Sequence, residues 1–222
     1  MKTLYHLVIL PEARAARVAL AEKSMRFDLV AEPVWERREA FLALNPAGEV
    51  PVLVDEDGTV IAGFQALIGY LEDVHPDPAL IPGSAAERAE IRRLADWFQT
   101  KFAQEVTDCL VGEKILKRFL GRAMPSSEAI RAGCQNIHTH LSYISYLVER
   151  RKWLAGDHFS IADILAACHL SSVDYLGDVP WGDHGEAKEW YARVKSRPTF
   201  RPLLADRIPG LNPPVHYVDL DF

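Results

Sequence analysis

The side chains able to do chemistry are few and scattered along this chain. Cys109, Cys134 and Cys168 are its three thiols. No two form a CxxC pair, and no histidine stands at a spacing fit for zinc. Each lies inside a helical pattern, where a free cysteine behaves as a small buried hydrophobe. His138 and His140 are two residues apart on a helix, a spacing that sends them to different faces. They read as solvated or capping residues, and no metal site is expected. Asp28, Glu32 and Asp55-Glu56-Asp57 read as a solvated acidic rim. Val50-Pro51 puts a proline at a strand start, a natural location for a cis bond. Ser160 and Asp163, three apart ahead of an apolar run, form a capping box whose work is folding.

The elements that would position these residues fall into two blocks. Residues 4–10 are an apolar strand, and Pro11 opens a helix running to Lys23, where its missing N–H is no loss. Residues 27–31 alternate as a second strand, and 35–44 read as a helix that Asn45-Pro46-Ala47-Gly48 ends. Strands over 52–54 and 60–62 flank Asp57-Gly58, a hairpin signal. A helix over about 65–74 completes a β-α-β-α-β-β-α order, a small sheet with helices on its faces. This gives an N-terminal domain over residues 1–75 and a turn-rich linker over 76–87, marked by His75-Pro76-Asp77-Pro78 and Ile81-Pro82-Gly83-Ser84.

Beyond the linker the apolar period changes to about 3.6. Ile91, Leu94, Ala95, Phe98, Phe102, Val106, Cys109 and Leu110 form one stripe. Ile137, Leu141, Ile144 and Val148 form another, and Ile161, Ile164, Leu165 and Cys168 a third. Two shorter helices over 185–196 and 200–208 close an all-helical domain assigned to 88–208, with a tail over 209–222. The 222 residues are 49% hydrophobic and 25% charged, ordinary for a soluble globular chain. The net charge of −6 argues against non-specific nucleic-acid binding. No apolar run approaches the ~20 residues that span a bilayer, so no membrane insertion is expected. The first residues lack the apolar stretch of a signal peptide. A reducing cytoplasm is the expected compartment.

Five motifs occur in order: Ala19-Leu20-Ala21-Glu22-Lys23, Gly48-Glu49-Val50-Pro51-Val52-Leu53, Trp153-Leu154-Ala155-Gly156-Asp157, Phe159-Ser160-Ile161-Ala162-Asp163, and Arg197-Pro198-Thr199-Phe200-Arg201-Pro202-Leu203-Leu204. Together they resemble the cytosolic glutathione transferase family across nearly the whole chain. The resemblance implies an α/β thioredoxin-like N-terminal domain holding glutathione and an all-α C-terminal domain covering the second substrate. It also implies a cis Val50–Pro51 bond, with the Val50 backbone pairing to the cysteinyl part of glutathione.

The positions that carry the family's chemistry differ. Many bacterial relatives read Ser-Pro-x-Ser-Arg-x-x-Arg before the alanine-rich motif. Aligned on it, Arg14 and Arg17 match the arginines, Pro11 the proline and Ala13 the catalytic Ser or Cys. A hydroxyl or thiol there would stabilise the glutathione thiolate by hydrogen bonding and the helix field. Ala13 has nothing to donate. The Glu-Ser pair that grips the γ-glutamyl group is replaced by Phe64-Gln65. Each polar ligand group left unpartnered on burial costs about 1–3 kcal/mol. The resemblance therefore implies a vestigial glutathione site at Val50, Pro51, Phe64 and Gln65, with no catalytic residue and no cofactor. Tyr5, near the first strand's start, is a candidate for a tyrosine-type rescue. The competing reading is a glutathione transferase with an atypical active site.

Two features suit a binding platform instead. Trp35 stands beside Arg37 and Arg38, and Trp and Arg are enriched among interface hot spots. The tail alternates apolar and acidic residues to its end at Tyr217-Val218-Asp219-Leu220-Asp221-Phe222, as a groove-binding peptide would, and folding back over its own domain is the alternative. With the emptied site, these features resemble the transferase-like division proteins of alphaproteobacteria that bind the tubulin-like polymer FtsZ. That resemblance implies a non-enzymatic cytoplasmic regulator, a homodimer located at the division site, with FtsZ polymer as partner. Trp35, Arg37, Arg38, Tyr217, Asp219, Asp221 and Phe222 would be its partner-binding residues.

Overall fold

The computed structural model describes residues 1–121 and 124–220. The chain divides into two compact units, Met1–Leu80 and Ile81–Phe222. Among the described residues no helix is long and apolar enough to cross a membrane.

The first unit is built on a four-stranded sheet of β1 (Lys2–His6), β2 (Phe27–Ala31), β3 (Val52–Val54) and β4 (Val60–Ala62), in the order β2-β1-β3-β4. β1 pairs parallel to β2 and antiparallel to β3, which pairs antiparallel to β4. Leu4, central in β1, lies opposite both Leu29 and Leu53 and is fully buried. Helix α1 (Pro11–Glu22) carries proline in its first turn and buries Ala13, Ala15, Ala16, Val18, Ala19 and Leu20. That small-residue face packs on β1 and on α3 (Phe64–Val74). Gly63 caps α3 at φ 88, a left-handed conformation open to glycine at little cost. The expected helix over 35–44 is shorter than the pattern suggested. A 3-10 turn at Val34–Glu36 is broken by Arg37 at φ 48, and α2 runs only from Glu39 to Leu44.

Buried charges organise this unit. The Lys23 ammonium, at the end of α1, donates to Glu72 Oε1 at 2.6 Å and to the carbonyls of His75 and Pro78. Asp55 is buried, not part of a solvated rim: Lys2 donates to it, and so does the Tyr70 hydroxyl at 2.6 Å. Burial alone would raise its pKa, but these donors and the Glu56 N–H outweigh that and hold it at about 2. Its hydrogen bond pushes the Tyr70 hydroxyl up to about 12. Glu32 is also buried, paired with Arg38, while Asp28 is exposed as expected. The Val50–Pro51 bond is cis, and so is Asp77–Pro78.

The second unit is helical. Helix α4 (Ala85–Trp97) starts inside the stretch read as linker, because Ser84 and Glu87 form a capping box, a cap typically worth ~1 kcal/mol. It runs on into Phe98–Leu116, whose turns are π-type and not of the expected 3.6 period, and into α5 (Lys117–Phe119). Phe98, Phe102, Val106, Leu110 and Val111 are its fully buried face. Helix α6 (Ser127–Val148) lies close against this segment at Gly133. A Cβ there would stand 2.8 Å from Cys109 Cβ and 2.9 Å from Leu110 Cγ. Helix α7 (Ile161–Asp174) is buried along its whole length and α8 is Gly185–Lys195. Ser160 and Asp163 form the capping box, and Asp163 also accepts from the Leu154 N–H and the Trp190 indole. In place of a helix over 200–208, a short 3-10 turn spans Arg201–Ala205.

His138 and His140 do face differently, but His140 is not solvated. It is buried, accepts from the Trp97 indole at 3.1 Å and lies 3.0 Å from Glu105 Oε2. His138 is exposed and meets His184 at 3.0 Å. Cys168 is buried, Cys109 half-buried and Cys134 exposed, so one of the three departs from the buried-hydrophobe reading. Among the described residues no group of three His, Cys, Asp or Glu side chains could hold a metal ion.

Candidate functional site

The position aligned with the family's catalytic hydroxyl is closed. Ala13 has no solvent-accessible surface and forms an apolar cluster with Phe41, Val50 and Val52. Tyr5, Leu7, Leu10, Val34, Leu44 and Ala62 pack around that cluster. The residue capping α1 is Leu10, with no side-chain hydrogen bond to the first turn. A ligand sulfur has no atom of Ala13 to touch. The Tyr5 ring leans on Phe41 with centroids 5.6 Å apart, so its body belongs to the cluster that fills the site. Arg14 and Arg17 are buried, and Arg14 Nη1 donates to the Val8 carbonyl at 2.8 Å, bracing the loop into α1.

The second half of the expected glutathione site has also changed character. Phe64 opens α3 with its ring 1% exposed, turned into the core. Gln65 is exposed on the first turn. Neither offers the carboxylate and hydroxyl that would grip a γ-glutamyl ammonium and carboxylate. Val50 and Pro51 remain in the turn into β3, held by the Gly63 N–H donating to the Pro51 carbonyl at 2.9 Å. Val50 contributes its side chain to the cluster around Ala13.

The proposed partner residues fall at two places. Trp35 is half-buried in the 3-10 turn, and Arg37 and Arg38 are exposed beside it. Arg38 is fixed by a two-pronged pair with the buried Glu32 carboxylate; the hydrogen bond and the charge of Glu32 raise its pKa. The guanidinium is thereby held in place while its outer edge stays open.

The tail is not a free peptide. Tyr217 is fully buried, its hydroxyl 3.3 Å from Ser171 Oγ and its ring edge-on to Tyr175 at 5.2 Å. This corrects its place among outward-facing residues: a short 3-10 turn, Val215–Tyr217, packs the ring inward. The Lys195 ammonium donates to the His216 carbonyl at 2.9 Å, and His216 Nε2 lies 3.0 Å from Asp174 Oδ1. Burial lowers Lys195 to about 8, against the opposing pull of Asp174 and Asp219. Asp219 is exposed. Asp221 and Phe222 lie outside the described residues.

Comparison with known proteins decides the family. Residues 11–74 match the glutathione S-transferase N-terminal domain and residues 129–198 the C-terminal domain. The chain belongs to the glutathione S-transferase family. Over its whole length it is 46% identical to FtsZ-localized protein A of Caulobacter vibrioides (strain NA1000 / CB15N), covering 98% of that protein. Two solved structures superpose along its entire length. A glutathione S-transferase from Rhodospirillum rubrum F11 is 58% identical with a TM-score of 0.97, all of both chains covered. FzlA from C. crescentus is 46% identical with a TM-score of 0.96, covering all of this chain and 99% of that one.

The transferase fold was legible in the sequence, but several residues that shape these surfaces were not. Glu32 fixes Arg38 across a turn with no periodic pattern to signal it. Asp174, Lys195 and His216 meet although 21 or more positions separate Lys195 and Asp174 from His216. A capping signal, Ser84 with Glu87, was present and could have placed the start of α4.

Proposed function

We propose that this transferase-fold protein is not an enzyme but a binding protein of FtsZ filaments that regulates constriction during cell division. The observation that carries this reading is the burial of Ala13 in an apolar cluster, which leaves the thiol position both without a donor and without access. A full-length relative at 46% identity bears the name FtsZ-localized protein A, which supports FtsZ as the partner. The reading includes a homodimer, a cytoplasmic location at the division site and no cofactor. Its contact residues are Trp35, Arg37, Arg38 and Asp219, with Asp221 and Phe222 beyond it; Tyr217 holds the tail in position.

The test pairs two assays on the full chain. Co-sedimentation with FtsZ polymer is expected to bring the protein into the pellet. Conjugation of glutathione to an electrophilic aromatic substrate is expected at background rate, with no retention on immobilised glutathione. Saturable turnover would place the chain among the atypical enzymes of its family, and a protein left in the supernatant would remove FtsZ as partner.

A further inference from the structure

The tail builds a wall rather than offering a strand. Val218 and Leu220 line an open depression whose other side is Arg201, Leu204, Ala205 and Arg207. It holds about 690 Å³ of space open to solvent. Leu204, Ala205, Val218 and Leu220 give it an apolar floor, and Val218 is 47% exposed. The tail side is fixed by the buried Tyr217 ring and by the Lys195–His216–Asp174 contacts, so the depression is a lasting feature of the surface.

Two guanidiniums border that floor. Arg201 Nε donates to the Ser196 carbonyl, and Arg207 Nη1 donates to the carbonyls of Leu204 and Asp206. Those bonds fix the forks in place and use only part of the five N–H donors each carries. Neither arginine forms an ion pair with a carboxylate among the described residues. On a chain of net charge −6, this sets two guanidiniums beside exposed apolar surface, with Asp206 next to Arg207 and Asp219 between Val218 and Leu220 along the chain.

We propose that this groove is a docking site for an extended partner segment in which apolar residues alternate with aspartate or glutamate. In an extended chain, successive side chains point to opposite sides. Apolar groups can then fill the floor while neighbouring carboxylates turn to the guanidiniums, whose planar fork matches a carboxylate in two-pronged contact. A basic segment is repelled by the guanidiniums, and a purely acidic one leaves the floor unfilled. This goes beyond the proposed FtsZ reading and stands apart from it, because the occupant is defined by chemistry and is tested without FtsZ.

The experiment uses the full chain and a short fluorescein-labelled peptide alternating leucine and aspartate, capped at both ends, read by fluorescence polarisation. Saturable binding is expected, weakening as salt is added because the charge contacts are exposed. The same peptide with lysine for aspartate, or serine for leucine, is expected not to bind. The double variant Arg201→Ala with Arg207→Ala is expected to lose roughly two- to thirtyfold in affinity, two exposed charge contacts being removed. Ala205→Glu places a carboxylate on the exposed floor and is expected to abolish binding with both arginines intact, which covers the case of a poorly folded double variant. Equal binding of the lysine peptide, or unchanged affinity in Ala205→Glu, would overturn the assignment. So would absence of binding to the full chain. If binding then appears in a chain ending at Leu220, the groove belongs to the protein's own last residues and not to a partner.

Discussion

Replacing Tyr217 by alanine separates a tail that is part of the fold from one that merely rests on it. The Tyr217 side chain has no exposed surface and packs edge-on against Tyr175, with its hydroxyl 3.3 Å from Ser171. Truncating a buried aromatic of this size to alanine typically costs about 3–5 kcal/mol, from lost transfer energy and the cavity left behind. For a protein of this length each kcal/mol shifts the melting temperature by about 2–4 °C, so the fall should be roughly 6–20 °C. Tyr217→Phe keeps the ring and loses only the hydroxyl contact, for which about 1 kcal/mol is expected. Thermal melting followed by circular dichroism reads both variants, and Tyr217→Phe should lie much closer to the wild type. A Tyr217→Ala protein that melts within about 2 °C of wild type would refute this account of the tail. The cavity term scales with how little the site collapses, so an unchanged melting point would mean the ring is not enclosed in solution.

Three further expectations concern the emptied site, the aromatic patch and acid stability. Ala13→Ser should not restore glutathione conjugation, and it should lower stability by about 1–3 kcal/mol because a hydroxyl is buried among apolar side chains; activity assays and urea unfolding check the two halves separately. Trp35→Ala should weaken FtsZ co-sedimentation by ~2 kcal/mol or more, roughly thirtyfold, with a melting temperature close to wild type because the residue is only half-buried. Asp55 is held at about 2, below its unfolded value of about 3.9, so the unfolded chain takes up this proton first as pH falls. Its contribution is complete above about pH 5 and is lost as pH drops towards 2. Urea unfolding across that range should show Asp55→Asn less stable at neutral pH and flatter in its acid limb.

The sequence carried the fold where local signals and the family pattern agreed. Pro11 opens α1, Asp57-Gly58 turns the β3–β4 hairpin and Ser160 with Asp163 starts α7, each a short-range effect that needs no knowledge of distant residues. What was missed depended on tertiary contact. Asp55, Glu32 and His140 looked solvated because their types usually are, yet each is buried against a partner far away or across a turn. The candidate site was legible as a loss of chemistry at Ala13, Phe64 and Gln65. That the loss is also a closure was not, because it depends on Phe41 of α2 meeting Val50 and Val52 at the entry to β3. The tail was legible as alternation but not as an anchored wall, since Ser171 and Tyr175 lie on and at the end of α7 and Lys195 lies on α8.

The Lys23 ammonium makes its three bonds from a single nitrogen, to Glu72, His75 and Pro78. Glu72 Oε1 in turn accepts the Leu80 N–H at 3.0 Å. These bonds share one atom, so a local opening that frees the nitrogen breaks all three together. The end of α1, the last turn of α3 and the chain leaving it should therefore open as one cooperative unit, with a common free energy in native-state hydrogen exchange. Lys23→Met would divide that unit, and the amides near Leu80 would then exchange independently of those in α1.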